Sequence, residues 1–593
     1  MNPVAVLAAG ALSPLGRGDA ATAPGPSGER PRSFVQHDPD LARAGLRRPR
    51  AARAPVGLVE RGPERAHALL ETVARDLVER LERAMPAWRE RRVALVVGTS
   101  AGGLSSLEPA LRQLASGEEL ASERARAAFY DAPLARIAPL FGKPVRIVSL
   151  LGACTASTLA LGLGCRLLEA GEAELVIAGG YDALTDFLAT GFEALGATTE
   201  SEPLPFRAAR DGMALGEGAA LLALVRAGAV APHAARGFIL GFGATSDATH
   251  VTAPDPTGRG LARAARAALL DAAIGPDAVE LVSAHATATR HNDSAEAAAL
   301  ALTFGPALAN VVIHPFKAVV GHTLGAAGAL ETLAGLDALA AGALPAAGGD
   351  GAVDPGFAGR LLSVNEPGAP RVCLKLSAAF GGSNAALVLG AAAEPAGTST
   401  SRAARAAPAR RSVASLFEGA LVTEPDFDLI ARRTRLDEVR RARLERASAL
   451  AVTAVAAALE AVGPFDPETT GVVVGTVAAS LEADELFDAR RRERGVAGVE
   501  PRRFPATSPN LPAGACSIAF GLRGPAFAVG GGPTSAAEAF AVAENLVAAG
   551  DAERVLVVVC NDVGPVTRAL CRSAGFPLPE DGARVRVVGV AAR

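Results

Sequence analysis

Short runs of consecutive apolar residues alternate with longer stretches rich in Ala, Leu, Arg and Glu along the whole chain. Val93-Ala-Leu-Val-Val97, Leu175-Val-Ile-Ala178, Ala219-Ala-Leu-Leu-Ala-Leu-Val225 and Ala385-Ala-Leu-Val-Leu389 show no polar alternation. Such runs predict strands covered on both faces of a sheet. The stretches between them predict the covering helices, which makes the fold class α/β. From about residue 391 to 411 the chain is Pro, Ala, Ser, Thr and Arg without periodicity, which predicts a linker.

Beyond that linker the sequence repeats itself. Gly471-Val-Val-Val-Gly-Thr476 echoes Ala94-Leu-Val-Val-Gly-Thr99, and Leu546-Val-Ala-Ala-Gly-Asp-Ala-Glu-Arg-Val555 echoes Leu167-Leu-Glu-Ala-Gly-Glu-Ala-Glu-Leu-Val176. The match lays Gly532-Pro533-Thr534 over Ala153-Cys154-Thr155. Proline has no nucleophile and no backbone N–H to donate. The repeat ends at Val585 to Val590, opposite Ala219 to Val225. It is expected to be half of a unit, without its chemistry.

Composition narrows the class. The 593 residues suggest more than one domain, and half of them are hydrophobic with few aromatics. A net charge of −3 offers no strong field for nucleic acid or an anionic membrane. Arginine clusters at 47–50, 410–411 and 490–492 are read as solvated faces or linker. Six scattered cysteines imply no disulfide framework and a reducing compartment. The N-terminus lacks a positive n-region and reads as a strand. The longest apolar stretches are broken by Gly, Pro or charge before membrane-span length. A cytoplasmic protein is expected.

The candidate chemistry centres on Cys154. A beta-type run from Val145 to Ala153 stops at Cys154-Thr-Ala-Ser-Thr, and a helical run follows. At such a turn, unpaired N–H groups and the helix dipole favour a thiolate. Ser283-Ala-His285-Ala-Thr-Ala-Thr289 and Lys317-Ala-Val-Val-Gly-His322 supply two histidines and a lysine. That set suits acyl transfer through a thioester. A free cysteine is ordinarily a small buried hydrophobe, and Cys165, Cys373, Cys516, Cys560 and Cys571 are read so. His250, His291 and His314, though close to motifs, are read as structural, and His37, His67 and His233 carry no assignment. No metal or nucleotide is expected, because no ligand cluster or phosphate-loop spacing is present.

Several segments, in order, resemble the beta-ketoacyl-acyl carrier protein synthases of the elongating type. They are Ala9-Gly-Ala-Leu-Ser-Pro-Leu-Gly16, Gly98-Thr-Ser-Ala-Gly-Gly103, Cys154, Pro205-Phe-Arg with Arg210-Asp-Gly-Met-Ala-Leu-Gly-Glu-Gly218, and Thr245-Ser-Asp-Ala-Thr-His250 with Thr252-Ala-Pro254. His285, Lys317 to His322 with Leu324-Gly-Ala-Ala-Gly328, and Phe380-Gly-Gly-Ser-Asn384 complete the series. The resemblance implies a thiolase-like layered αβαβα fold of two βαβαβαββ halves, usually dimeric. It divides the chain into halves at 1–235 and 236–392, a linker at 393–411 and a degenerate N-terminal-like copy at 412–593.

It also implies roles. Cys154 would be the acylated nucleophile, with its own N–H and that of Phe380 as the oxyanion hole and Phe380 as the gate. His285 and His322 would stabilise the enolate left by malonyl decarboxylation. Lys317 would orient a histidine, with Glu331 as its carboxylate partner. Thr287 and Thr289 would bind the phosphopantetheine arm, which arrives on an acyl carrier protein, so no resident cofactor is expected. The partners would be the carrier protein and either a second copy or the chain's own C-terminal copy acting as a pseudo-dimer partner, as the inactive member of a ketosynthase/chain-length-factor pair does. A chain-length or scaffold subunit, a decarboxylase and an acyltransferase on the same fold stay open. The sequence departs from the family where Ala286, Ala288, Ala378 and Ala379 stand in place of glycine or Phe-Gly. The added Cβ atoms are expected to stiffen those loops.

Overall fold

The computed structural model describes residues 1–55, 57, 62–392 and 410–591, so 393–409 of the predicted linker lie outside the described residues. One five-strand pattern occurs three times. β1 (Val4–Ser13), β2 (Val93–Thr99), β3 (Arg146–Leu151), β4 (Leu175–Asp182) and β5 (Gly218–Arg226) pair in the order β1–β5–β4–β2–β3. β6 (Gly237–Ser246), β7 (Leu281–Ser283), β8 (Val312–His314), β9 (Val372–Ala378) and β10 (Ser383–Gly390) repeat that order as β6–β10–β9–β7–β8. β11 (Val413–Glu418), β12 (Thr470–Thr476), β13 (Ala526–Gly530), β14 (Arg554–Asn561) and β15 (Gly582–Val590) repeat it again as β11–β15–β14–β12–β13. All four apolar runs read as strands lie within β2, β4, β5 and β10.

The helices explain the layers. α1 (Ala156–Ala170) is buried at every position from Ala156 to Leu168, as expected of a helix apolar all round. It lies between β2 and β4 on one side and β6 and β10 on the other. α2 (Arg290–Phe304) caps the second copy. α3 (Ala327–Ala341) packs beside α1, and its Ala329 N–H donates to Ser157 Oγ at 2.9 Å. Contrary to the sequence expectation, Leu324–Ala341 is 18 residues long with mean hydropathy 1.3, long and apolar enough to cross a membrane. It is 83% buried inside the protein and carries Glu331 and Asp337, so its apolar character is that of a core helix.

The C-terminal copy packs onto the first one edge to edge. β3 and β13 pair antiparallel, Leu151 opposite Ala528 and Leu150 opposite Val529, so the sheet runs through both copies. These are the same strand of the repeat, and antiparallel pairing of equivalent strands is what a two-fold relation requires. Leu107, Phe129, Phe187 and Phe192 of the first copy share one apolar core with Leu450, Phe487, Phe504 and Ile518 of the C-terminal copy. Arg166, on α1, donates to Asp551 at 2.6 and 2.8 Å across the same boundary. α4 (Leu511–Phe520) and α5 (Ser535–Ala549) belong to the C-terminal copy, and α5 stands where α1 stands in the first.

Candidate active site

Cys154 sits in a tight 3₁₀ turn, Ala153–Thr155, between β3 and α1. Ala153 takes φ +48, a left-handed conformation that an L-residue holds only under constraint. The turn is fastened by Thr155, whose hydroxyl donates to Gly152 O at 2.8 Å. The thiol is at the floor of a cleft of about 700 Å³ whose lining includes His285, His322, Thr287, Thr289 and Phe380. Six of the eight residues named from the sequence therefore meet around one cavity. Lys317 and Glu331 lie behind it.

His322 Nε2 is 3.1 Å from Cys154 Sγ. The Leu324 N–H donates to His322 Nδ1 at 3.3 Å, so Nδ1 is the acceptor and Nε2 carries the hydrogen. The rings of His285 and His322 are 5.6 Å apart and at 89° to each other. Lys317 Nζ lies 3.4 Å from His285 Nδ1, which makes that nitrogen an acceptor too and leaves N–H on Nε2. Burial, with Lys317 next, holds both histidines well below the usual imidazole range, so both are neutral. Two neutral imidazoles with Nε2–H donors therefore stand beside one thiol.

The thiol itself corrects an expectation. Burial pushes Cys154 up to about 12, and Lys317 opposes this only in part. The turn before α1 does not offset the loss of water, and the resting group is a thiol, not a thiolate.

Lys317 Nζ donates to Glu331 Oε1 at 2.6 Å, the partner expected from the sequence. The structure adds a second lysine: Lys375 Nζ lies 2.7 Å from Glu331 Oε2. One carboxylate thus bridges two buried ammonium groups. Glu296 was also missed. It accepts from the N–H groups of His285 at 2.6 Å and Ala286 at 2.7 Å, fixing the loop that presents His285. Asp293 accepts from Ala288 N at 3.1 Å and Phe206 N at 2.8 Å, and burial pushes its carboxyl up to about 7. A lone lysine inside the apolar strand Val372-Cys-Leu-Lys-Leu376 was the available signal for Lys375.

His250 and His291, read as structural, both line the cleft. His250 also ties its own loop, accepting at Nδ1 from Thr252 N at 3.1 Å and Ala253 N at 3.0 Å. His314 is buried and pushed down to about 4 by loss of water.

The alanines behave in two ways. Ala286 and Ala288 have φ +44 and +64, positions where the Cβ costs strain. Ala379 has φ −146, extended backbone that any residue adopts. Replacing Ala286 or Ala288 with glycine should therefore stabilise the protein by about 1 kcal/mol each, strain relief exceeding the added freedom of the unfolded chain. The midpoint of urea unfolding checks this, and a downward shift would count against a strained loop.

Comparison with known proteins agrees with this arrangement. The profile described as beta-ketoacyl synthase, N-terminal domain, matches residues 63–229 and again 397–591. The beta-ketoacyl synthase C-terminal domain matches residues 236–348. A 3-oxoacyl-[acyl-carrier-protein] synthase 2 of Staphylococcus aureus is 31% identical over 256 residues, which is 41% of this chain and 62% of that protein. The chain thus spans less than two thirds of that relative's length. A beta-ketoacyl synthase from Burkholderia phymatum is similar in structure, with TM-score 0.59 and 27% identity over 66% of this chain and 100% of that one. The PfaC keto synthase-chain length factor is similar in fold over 100% of this chain and 78% of its own, with TM-score 0.77 and 17% identity. The repeated N-terminal match covers the copy lacking the nucleophile as well as the one bearing it. This chain belongs to the beta-ketoacyl synthase family.

Proposed function

We propose that the chain catalyses decarboxylative condensation of an acyl thioester, carried on Cys154, with a malonyl thioester delivered by an acyl carrier protein. The observation that carries this reading is the pair of neutral histidines, one 3.1 Å from Sγ, each holding its hydrogen on Nε2. Acyl transfer would form the Cys154 thioester and pass the thiol proton to the departing carrier thiol. Cleavage of the malonyl C–C bond would release carbon dioxide and leave an enolate whose oxygen the two Nε2–H groups stabilise. The enolate carbon would then attack the acyl carbonyl, expelling the Cys154 sulfur and forming a product two carbons longer.

Thr287 and Thr289 line the cleft, their hydroxyls 3.0 Å apart, and would hydrogen-bond the amides of a pantetheine arm. The backbone N–H groups of Cys154 and Phe380 would serve the tetrahedral oxyanion. The C-terminal copy would take the place of a partner subunit. That part of the reading is supported by the continuous β3–β13 sheet and by Pro533 at the nucleophile's position.

The test is incubation of the full chain with labelled acyl-carrier protein and then malonyl-carrier protein. Label on the Cys154 peptide and a 3-oxoacyl product two carbons longer are expected. Acylation without that product would favour an acyltransferase. Carbon dioxide release without acylation would favour a decarboxylase, and neither event a scaffold subunit.

A further inference from the structure

The loop that carries Phe380 is held from outside its own copy. It follows β9 and turns through Gly381 and Gly382, at φ +80 and +79. Within the first two copies the loop is tied at its glycines: the Gly381 N–H donates to Val251 O at 2.7 Å, and the Gly382 carbonyl accepts from Asp247 N at 2.8 Å and Asn384 Nδ2 at 3.2 Å. The Phe380 carbonyl instead accepts from the side chain of Asn510, in the C-terminal copy, at 2.8 Å. Asn510 is only 2% exposed, and Ser508 Oγ donates to its Oδ1 at 2.6 Å. With Oδ1 occupied as acceptor, the amide NH₂ is fixed toward Phe380.

Packing brings α4 hard against the same loop. A Cβ on Gly514, one turn into α4, would stand 2.6 Å from Gly381 Cα, so only glycine permits the approach. The ring of Phe380 lies 5.8 Å from Phe192, which is 5.0 Å from Phe504 of the C-terminal copy. The facing loop is gripped as well. Arg435 donates to the carbonyl of Ala248, a residue at φ +53, and the Ser246 N–H donates to Arg523 O at 3.1 Å. Two of the loops that line the cleft are thus tied to the copy in which Pro533 stands at the nucleophile's position.

We propose that Asn510 is a positioning residue through which the C-terminal copy holds the Phe380 loop over Cys154 and sets how readily the cleft opens. The proposal deepens the condensing-enzyme reading and rests on it for its consequence, the rate of substrate entry. Its test does not need that reading, because it reads the thiol directly. Loss of a net hydrogen bond of ordinary strength changes a closed-to-open ratio by about two- to tenfold.

The experiment measures alkylation of Cys154 by iodoacetamide in the full chain, followed on the Cys154 peptide. Asn510→Ala should alkylate about two- to tenfold faster than the native protein, by the same factor at every pH. Asn510→Asp keeps the shape but changes the chemistry. Its protonated acid can donate to Phe380 O, whereas its carboxylate repels that carbonyl. Its rate relative to native should therefore rise with pH, a dependence that lost packing would not produce. Ser508→Ala, which keeps the donor but frees its orientation, should give a smaller increase. Rates equal to native in Asn510→Ala, or a pH-independent ratio in Asn510→Asp, would overturn the proposal. Should either Asn510 variant fail to fold, Ser508→Ala decides, and an unchanged rate there overturns it. A native protein that alkylates as described but forms no 3-oxoacyl product would sink the proposed reaction and leave the clamp standing.

Discussion

With alanine at His322, Cys154 should still accept an acyl group, but malonyl decarboxylation should fall about 100- to 1000-fold, the usual cost of removing one donor to a developing oxyanion. The expectation follows from the tautomers. Leu324 N–H fills His322 Nδ1 and Lys317 fills His285 Nδ1, so each ring has one hydrogen left to give, and both rings stand at the thiol. His285→Ala should cost a similar factor. The double variant should lose far less than the product of the two, because the donors act on one oxygen. Cys154→Ala should separate the steps in the other direction: no acylation and no condensation, but continued carbon dioxide release.

The same tautomers set a pH dependence. Because burial holds both imidazoles well below 6.5, lowering the pH from 8 to 6.5 should not protonate either ring. Protonation would add a hydrogen at Nδ1 facing a backbone N–H at His322 and an ammonium at His285, an arrangement that the present donors forbid. Carbon dioxide release by the Cys154→Ala protein, which reports decarboxylation without acylation, should therefore be flat over that range. A break near 6.5 would mean that at least one histidine is exposed enough to titrate normally.

What could be read beforehand was what lies close in sequence. The turn at Cys154, the spacing from His285 to Thr289 and the five-residue step from Lys317 to His322 are each a single loop or turn, and the structure gathers them around one cleft. The four strands were legible too, because buried strands announce themselves as unbroken apolar runs. What escaped depends on distance through the chain. Lys375 reaches Glu331 from a strand of another element, and Asn510 reaches Phe380 across 130 residues and a copy boundary. The thiol was misjudged for the same reason. A helix start is visible in sequence, but the loss of water that pushes Cys154 up is a property of the folded surroundings.

Glu331→Gln should be the most damaging substitution for stability, lowering it by about 3–5 kcal/mol, the cost of breaking a buried ion pair from one side. Glu331 contacts both Lys317 at 2.6 Å and Lys375 at 2.7 Å, and all three are almost completely buried. A neutral amide leaves two buried ammonium groups without the carboxylate that both contact, although Lys375 keeps Ser377 Oγ at 3.0 Å and Lys317 keeps His285 Nδ1 at 3.4 Å. The deficit should depend on pH with a definite sign. Burial already lowers Lys375 below the usual lysine range, and loss of its carboxylate lowers it further. The unfolded chain then binds more protons than the folded one, so stability rises with pH. The gap between Glu331→Gln and the native protein in urea unfolding should accordingly narrow as pH rises from 7 toward the ordinary lysine range. Lys375→Met should be milder, because it leaves Glu331 and Lys317 as a matched pair. It should also spare decarboxylation more than Glu331→Gln does, since Lys317 stays anchored beneath His285. If Glu331→Gln unfolds at the native urea midpoint at pH 7, the two lysines are not both charged in the folded protein, and the charge assignment behind His285 would have to be redrawn.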